Sequence, residues 1–68
     1  MSIKNKRQLG KLLKEIREKK KISKRAIYKD KTIYQLQVQA IEKGSSNYTI
    51  DTLFEYLDKI GCSMEIKH

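Results

Sequence analysis

The sequence predicts an all-α domain of four short helices with one short β-strand at the C-terminal end, a single unit over residues 1–68. Three observations predict it. Apolar residues recur at helical spacing in four separate stretches. Asparagine, serine and threonine stand where helices start, and glycines stand where two of them stop. The last residues then switch to the alternating period of a strand. There is no proline, low-complexity tract or internal repeat to mark a linker or a second domain.

The first helix is expected over about residues 6–20. Asn5 is placed to cap it, with Gln8 at the third position reaching back as in a capping box. Leu9, Leu12, Leu13 and Ile16 form a buried stripe, while Lys11, Lys14, Glu18 and Lys19 point to water. Gly10 costs about 1 kcal/mol relative to alanine inside a helix, so its presence marks a close approach of another element. The run Lys19-Lys20-Lys21 suits the negative end of the helix dipole, and Ile22 anchors the turn that follows.

Ser23 caps a second helix over about residues 24–31, with Ile27 facing inward. Lys24 and Arg25 sit in its positively polarised first turn, which is unfavourable by a few tenths of a kcal/mol unless that end approaches a phosphate. A third helix runs over about residues 35–42 until Lys43-Gly44 stops it. Val38 and Ile41 face inward, and Leu36, Gln39, Ala40 and Lys43 lie on the other side. A glutamine-rich face on a basic body suits the edges of bases in a DNA major groove.

The fourth helix is expected over about residues 50–60, capped by Thr49 and ended by Gly61. Ile50, Leu53, Leu57 and Ile60 form its buried stripe, widened by Phe54 and Tyr56, with Asp51, Glu55 and Asp58 outside. That acidic face is expected to lie away from nucleic acid. Met64 and Ile66 alternate with Ser63, Glu65 and Lys67, so residues 63–67 read as the strand. One strand has no partner in this chain, so it frays, lies on the core, or pairs with a second copy.

The formal net charge of +8 points to a polyanionic partner ahead of a membrane surface. It is unevenly placed: residues 1–31 hold thirteen Lys/Arg against three acids, and residues 32–68 hold three against five. The single cysteine, Cys62, reads as a small buried hydrophobe, and a reducing, cytoplasmic setting is expected. No apolar run approaches the roughly 20 residues of a membrane span. No His/carboxylate or Cys/His constellation, phosphate-cradling glycine loop or metal-ligand spacing is present, so neither an enzyme, a cofactor nor a metal is expected.

Leu9-Gly10, Leu13, Arg17, Ile22-Ser23, Ile27, Ile33, Val38, Ile41-Glu42 and Gly44 together resemble the pattern of the phage-repressor family, the Cro-like or lambda-repressor-like helix-turn-helix domains of XRE type. The likeness covers roughly residues 9–61 without a gap. It implies a compact helix-turn-helix fold in which Gln35–Ile41 is the recognition helix. It also implies base contacts from Gln35, Leu36, Gln39 and Ala40, phosphate contacts from Lys24 and Lys43, and an ion pair of Arg17 with Glu42. Arg25, Gln37 and Asn47 are assigned with the two lysines to the phosphate backbone. Leu36, apolar and outward-facing at the start of that helix, is either a small exposed hydrophobe or a contact to a thymine methyl. Two positions depart from the pattern: Tyr28 stands where a small residue is usual, and Thr32 where the turn usually has glycine. Either the turn differs, or Thr32 adopts another conformation and the helices splay to admit Tyr28. Lys21 likewise replaces a common glycine.

The C-terminal strand resembles that of antitoxin-type members, which pairs across a dimer, and the tract NYTIDTL resembles short regulators of bacterial mobile elements. The expected function is a sequence-specific double-stranded DNA-binding transcriptional regulator acting as a homodimer through Ser63, Met64, Glu65, Ile66 and Lys67. The alternative is an antitoxin-like or phage-adaptor module that kept the fold, lost specific readout and binds a cognate toxin or other regulatory protein.

Overall fold

The computed structural model describes residues 3–29, 31–45 and 48–65. Four helices follow in order: α1 (Lys6–Lys19), α2 (Lys24–Tyr28), α3 (Gln35–Lys43) and α4 (Ile50–Lys59). All four begin at the expected residue. Asn5 Oδ1 accepts the Gln8 N–H at 2.9 Å, Ser23 Oγ the Ala26 N–H at 3.2 Å, and Thr49 Oγ1 the Thr52 N–H at 3.2 Å. Gln8 does reach back, but its Oε1 accepts the N–H of Lys4, one residue earlier than a capping box requires.

Three helices end in the same way. After α1, α3 and α4, Lys21, Gly44 and Gly61 adopt φ of 60°, 76° and 71°. The next residue's N–H then returns to a carbonyl five positions back: Ile22 to Arg17, Ser45 to Ala40, Cys62 to Leu57. This pair of left-handed residue and returning bond satisfies carbonyls that the helix would otherwise leave open. It also turns Ile22 and Cys62 onto the edge of the core. Lysine carries a Cβ into a conformation that disfavours it by roughly 1–2 kcal/mol. Gly44 and Gly61 carry no such strain.

α2 is shorter than expected, ending at Tyr28 instead of near residue 31. The left-handed residue of the turn is Lys31, at φ 66°, and not Thr32. The turn therefore has its glycine-like conformation one position earlier than the family likeness was aligned, which relieves the β-branched threonine. Tyr28 is accommodated at the margin, partly buried against the core.

Leu13, Ile27, Ile33, Val38, Ile41, Leu53, Tyr56, Leu57 and Ile60 form the centre of the core. α3 packs most extensively against α1, and glycine makes that possible. A Cβ on Gly10 would lie 2.2 Å from the Ile41 carbonyl oxygen and 2.8 Å from that of Glu42. One on Gly44 would lie 2.5 Å from Arg7 Cα. The C-terminal half of α3 thus rests on the backbone of α1.

Two apolar expectations fail on α4: Ile50 and Phe54 are 60% and 51% exposed. Leu53, Tyr56, Leu57 and Ile60 fill the inward arc, and at 100° per residue Ile50 and Phe54 lie about 70° and 110° from its centre. The C-terminal strand is also absent among the described residues: Ser63–Glu65 are irregular. A lone extended segment has no second strand in this chain to supply a hydrogen-bonded ladder. Ile66 and Lys67 lie outside the described residues.

Two substitutions test the backbone constraints by urea denaturation. Gly10→Ala will destabilise by about 1–3 kcal/mol or more, because backbone on both sides must move. Lys21→Gly will stabilise by about 0.5–1 kcal/mol, the relief of left-handed strain exceeding the added freedom of the unfolded chain. Unchanged midpoints would contradict the close approach and the strain respectively.

Candidate nucleic-acid interface

α3 is anchored from below by a buried polar cluster. Arg17 Nε donates to Glu42 Oε2 at 2.7 Å, with side chains only 7% and 4% exposed. Arg17 Nη2 reaches Glu42 Oε1 at 3.4 Å, and Nη1 donates to the Ile22 carbonyl at 2.8 Å. Tyr56 Oη donates to the same Glu42 Oε2 at 2.6 Å. One carboxylate therefore joins α1, α3 and α4, and the guanidinium also secures the turn after α1. The ion pair is the expected one; Tyr56 completes it from a position read only as core. A fully buried tyrosine needs a partner for its hydroxyl, and that rule together with an inward-facing glutamate was the available signal.

The cluster's electrostatics follow from this geometry. Burial, then the hydrogen bond and negative charge of Glu42, push the Tyr56 phenol well above its ordinary value, with Arg17 offsetting a part. Burial alone would lower the Arg17 pKa, but hydrogen bonding and charge from Glu42 more than reverse this. Burial also raises the Tyr48 phenol, whose ring lies 5.2 Å from Lys6 Nζ.

Above this anchor, α3 presents its outer face. Gln35 is exposed at the first helical position, and Leu36 is 77% exposed. Leu36, Gln37, Gln39, Ala40, Lys43 and Ser45 line a shallow depression of about 420 Å³. Leu36, Gln39, Ala40 and Lys43 are thus brought together, while Gln35 stands outside the depression. Ala40 is only 8% exposed: it lines the depression but does not stand on the open face as expected.

The start of α3 is fixed by a side chain not read as structural. Tyr34 precedes the helix in extended conformation, and Gln37 Oε1 accepts its N–H at 2.9 Å. Gln37 Nε2 points to Thr52 Oγ1 at 3.4 Å, which lies 3.1 Å from Thr49 Oγ1. Gln37, expected on phosphate, therefore ties the first turn of α3 to the first turn of α4. A glutamine at the third position of a helix was the signal for this. Tyr34 was missed altogether and is 64% exposed.

Lys24 and Arg25 are exposed at the start of α2, and Lys43 at the end of α3. Asn47 lies outside the described residues. Lys20 is committed elsewhere: its Nζ donates to the Ile60 carbonyl at 2.7 Å, where a cation suits the negative end of α4. Ser63, Met64 and Glu65 line a separate apolar cleft of about 270 Å³ with Leu9, Leu12 and Leu57 among its other walls. No helix among the described residues is long and apolar enough to cross a membrane.

No protein-family model matches the chain, and no curated protein matches it. Among solved structures it is similar to a chain of the HipA-HipB-O2-O3 complex, at 24% sequence identity and a TM-score of 0.89, over 100% of this chain and 96% of that one. At that identity the likeness concerns the fold, the four-helix arrangement that carries α3 on α1.

The buried cluster makes a testable demand. Tyr56→Phe will lose a hydrogen bond to a charged group and destabilise by about 1.5–3 kcal/mol at neutral pH. Because the folded phenol is raised above its unfolded value near 10, its contribution is full below that pH and declines above it as the unfolded chain ionises. Urea midpoints measured between pH 9 and 11 should thus fall less steeply in Tyr56→Phe than in the parent. Equal slopes would contradict a phenol held above its ordinary value by burial and by Glu42.

Proposed function

We propose that the chain is a sequence-specific double-stranded DNA-binding regulator that lays α3 in the major groove. The observation that carries this reading is the outer face of α3, with Gln35, Leu36, Gln39 and Lys43 accessible on a helix whose inner face is locked to α1 and α4. Rigid placement matters because base readout depends on side chains arriving at fixed positions along the groove. The charge of residues 1–31 supports it, since a basic body supplies the non-specific affinity on which readout is superimposed. Gln35 acts as the main base reader, as glutamine can pair bidentately with adenine. Lys24 and Lys43 act on phosphates, with Arg25 adding to the field.

One recognition helix reads only a few base pairs, so specificity favours two copies on a two-fold site with half-sites about 34–36 Å apart. The apolar cleft that includes Met64 supports a homodimer face at the C-terminal segment, because covering it adds burial that a small core needs. Tyr56, fully buried, has no place in such a contact; Phe54 does.

A second reading is favoured by Ile50 and Phe54, exposed on α4 beside the exposed acids Asp51, Glu55 and Asp58. Such a surface suits a protein partner, as in an antitoxin-like or adaptor module. The fold likeness to a chain that belongs to a multi-component assembly supports a protein partner in addition to DNA.

Titration of random duplex at several salt concentrations tests the first reading. A DNA binder gives a steep dependence of affinity on salt, and Lys24→Gln or Lys43→Gln each reduces that slope by about one unit for every duplex. Gln35→Ala costs about 1–3 kcal/mol on the best selected site and relaxes preference at one base pair. A flat salt response would favour the protein-binding module. For assembly, Met64→Glu should shift sedimentation from dimer to monomer at micromolar concentration. A variant that remains dimeric would move the interface to Ile50 and Phe54.

A further inference from the structure

α1 and α4 each carry a row of like charges on the side turned away from the core, and the two rows are of opposite sign. On α1, Arg7, Lys11 and Lys14 are exposed and, at 100° per residue, lie within about 30° of the direction opposite Leu9, Leu12, Leu13 and Ile16. On α4, Asp51, Glu55 and Asp58 are exposed and lie within about 30° of the direction opposite Leu53, Tyr56, Leu57 and Ile60. Both rows step by four positions and then by three, so each rises about 6 Å and then about 4.5 Å along its helix. Laid side by side in the parallel sense, they match charge for charge; in the antiparallel sense the middle pair is displaced by one residue. Glu18, on the same side of α1, falls a turn past that overlap, beyond the level at which α4 ends.

The row on α4 is bordered by apolar surface, since Phe54, 51% exposed, stands about 70° from its centre. A lone exposed phenylalanine is ordinary. One beside a row of acids suits a partner whose cations have long apolar stems, because Arg and Lys lay those stems along apolar surface and set their charge over an aromatic ring. We propose that this chain binds further copies of itself head to tail, the α4 face of one copy on the α1 face of the next, when they occupy neighbouring DNA sites. The inference rests on the DNA-binding reading above and adds to it an interaction surface separate from the C-terminal cleft. The apolar sides of α1 and α4 meet the same core, so their charged sides point apart and one pair of molecules does not satisfy both. Such a contact is open and propagates. Net charge decides where it forms: free copies at +8 each repel one another, whereas a duplex neutralises part of that charge and holds copies within reach.

The test uses the full chain and the best duplex selected from random DNA, carrying either one site or two whose separation is stepped base pair by base pair through one helical turn. At one phase of that separation the parent should fill the second site about tenfold more tightly than the first, three exposed ion pairs of ordinary strength converted at ~1.4 kcal/mol per tenfold. Added salt should reduce that gain itself, apart from its effect on single-site binding. Asp51→Asn, Glu55→Gln and Asp58→Asn together should abolish the gain while a single site is still bound. Reversing either row alone, Arg7→Glu with Lys11→Glu and Lys14→Glu, or Asp51→Lys with Glu55→Lys and Asp58→Lys, should also abolish it. One chain carrying both reversals should regain it, which neither misfolding nor a change of overall charge produces. A parent that binds with a steep salt slope but fills two sites independently at every separation overturns the head-to-tail contact and leaves the DNA reading standing. A gain that survives neutralisation of the α4 row overturns the assignment to these faces. So does a lower salt slope on a single site when Arg7, Lys11 and Lys14 are replaced by Gln, because that row then faces the phosphates of its own site. Absence of salt-dependent binding to any duplex removes the DNA reading and this inference with it.

Discussion

A single buried carboxylate holds the three longer helices in register. Glu42 accepts from Arg17 and from Tyr56, so each of α1, α3 and α4 contributes one group to the same few ångströms of low-dielectric space. Removing one partner from such an arrangement leaves a charge buried without compensation, which is costly, typically 3–5 kcal/mol, even where the intact pair adds little net stability. The value of the cluster is therefore directional. Alternative packings of α3 separate the charges, and the outer face of α3 inherits the orientation that the inner face is made to keep.

That orientation also needs contact between backbones. Gly10 and Gly44 remove side-chain bulk where the C-terminal half of α3 meets α1, and Arg17 reaches Glu42 there with a short, charge-assisted bond. At the other end of α3, Gln37 and Thr52 do the equivalent task with neutral groups. α3 is thus fixed at both termini, with Gln35 exposed at its first position and Gln39 in its middle. The basic run at the end of α1 is not wholly free, because the Lys20 ammonium is drawn to the Ile60 carbonyl at the end of α4.

Sequence alone revealed what depends on local rules. Caps at Asn5, Ser23 and Thr49 placed helix starts to the residue, and Gly44 and Gly61 placed two of the stops. The Arg17–Glu42 pair followed from the family likeness, since partners 25 residues apart carry no local signature. What escaped depends on three-dimensional neighbours. Tyr56 looks like any aromatic on a buried stripe until Glu42 is seen to face it. Ile50 and Phe54 match a helical stripe by spacing, but the inward arc was already full. Ala40 falls on the outward side by helical spacing yet is buried, which periodicity does not encode. The turn was displaced by one residue because lysine gives no sign that it will take a left-handed conformation.

Those left-handed lysines bear on how long a molecule lasts. A strain of about 1 kcal/mol multiplies the population of unfolded chains roughly fivefold, and Lys21 and Lys31 each impose one. Degradation in a cell draws on that population when opening and closing are fast. Two exposed loop residues, Lys21 and Lys31, therefore enlarge the population open to degradation, a consequence carried by the backbone of the turns and not by the outer face of α3.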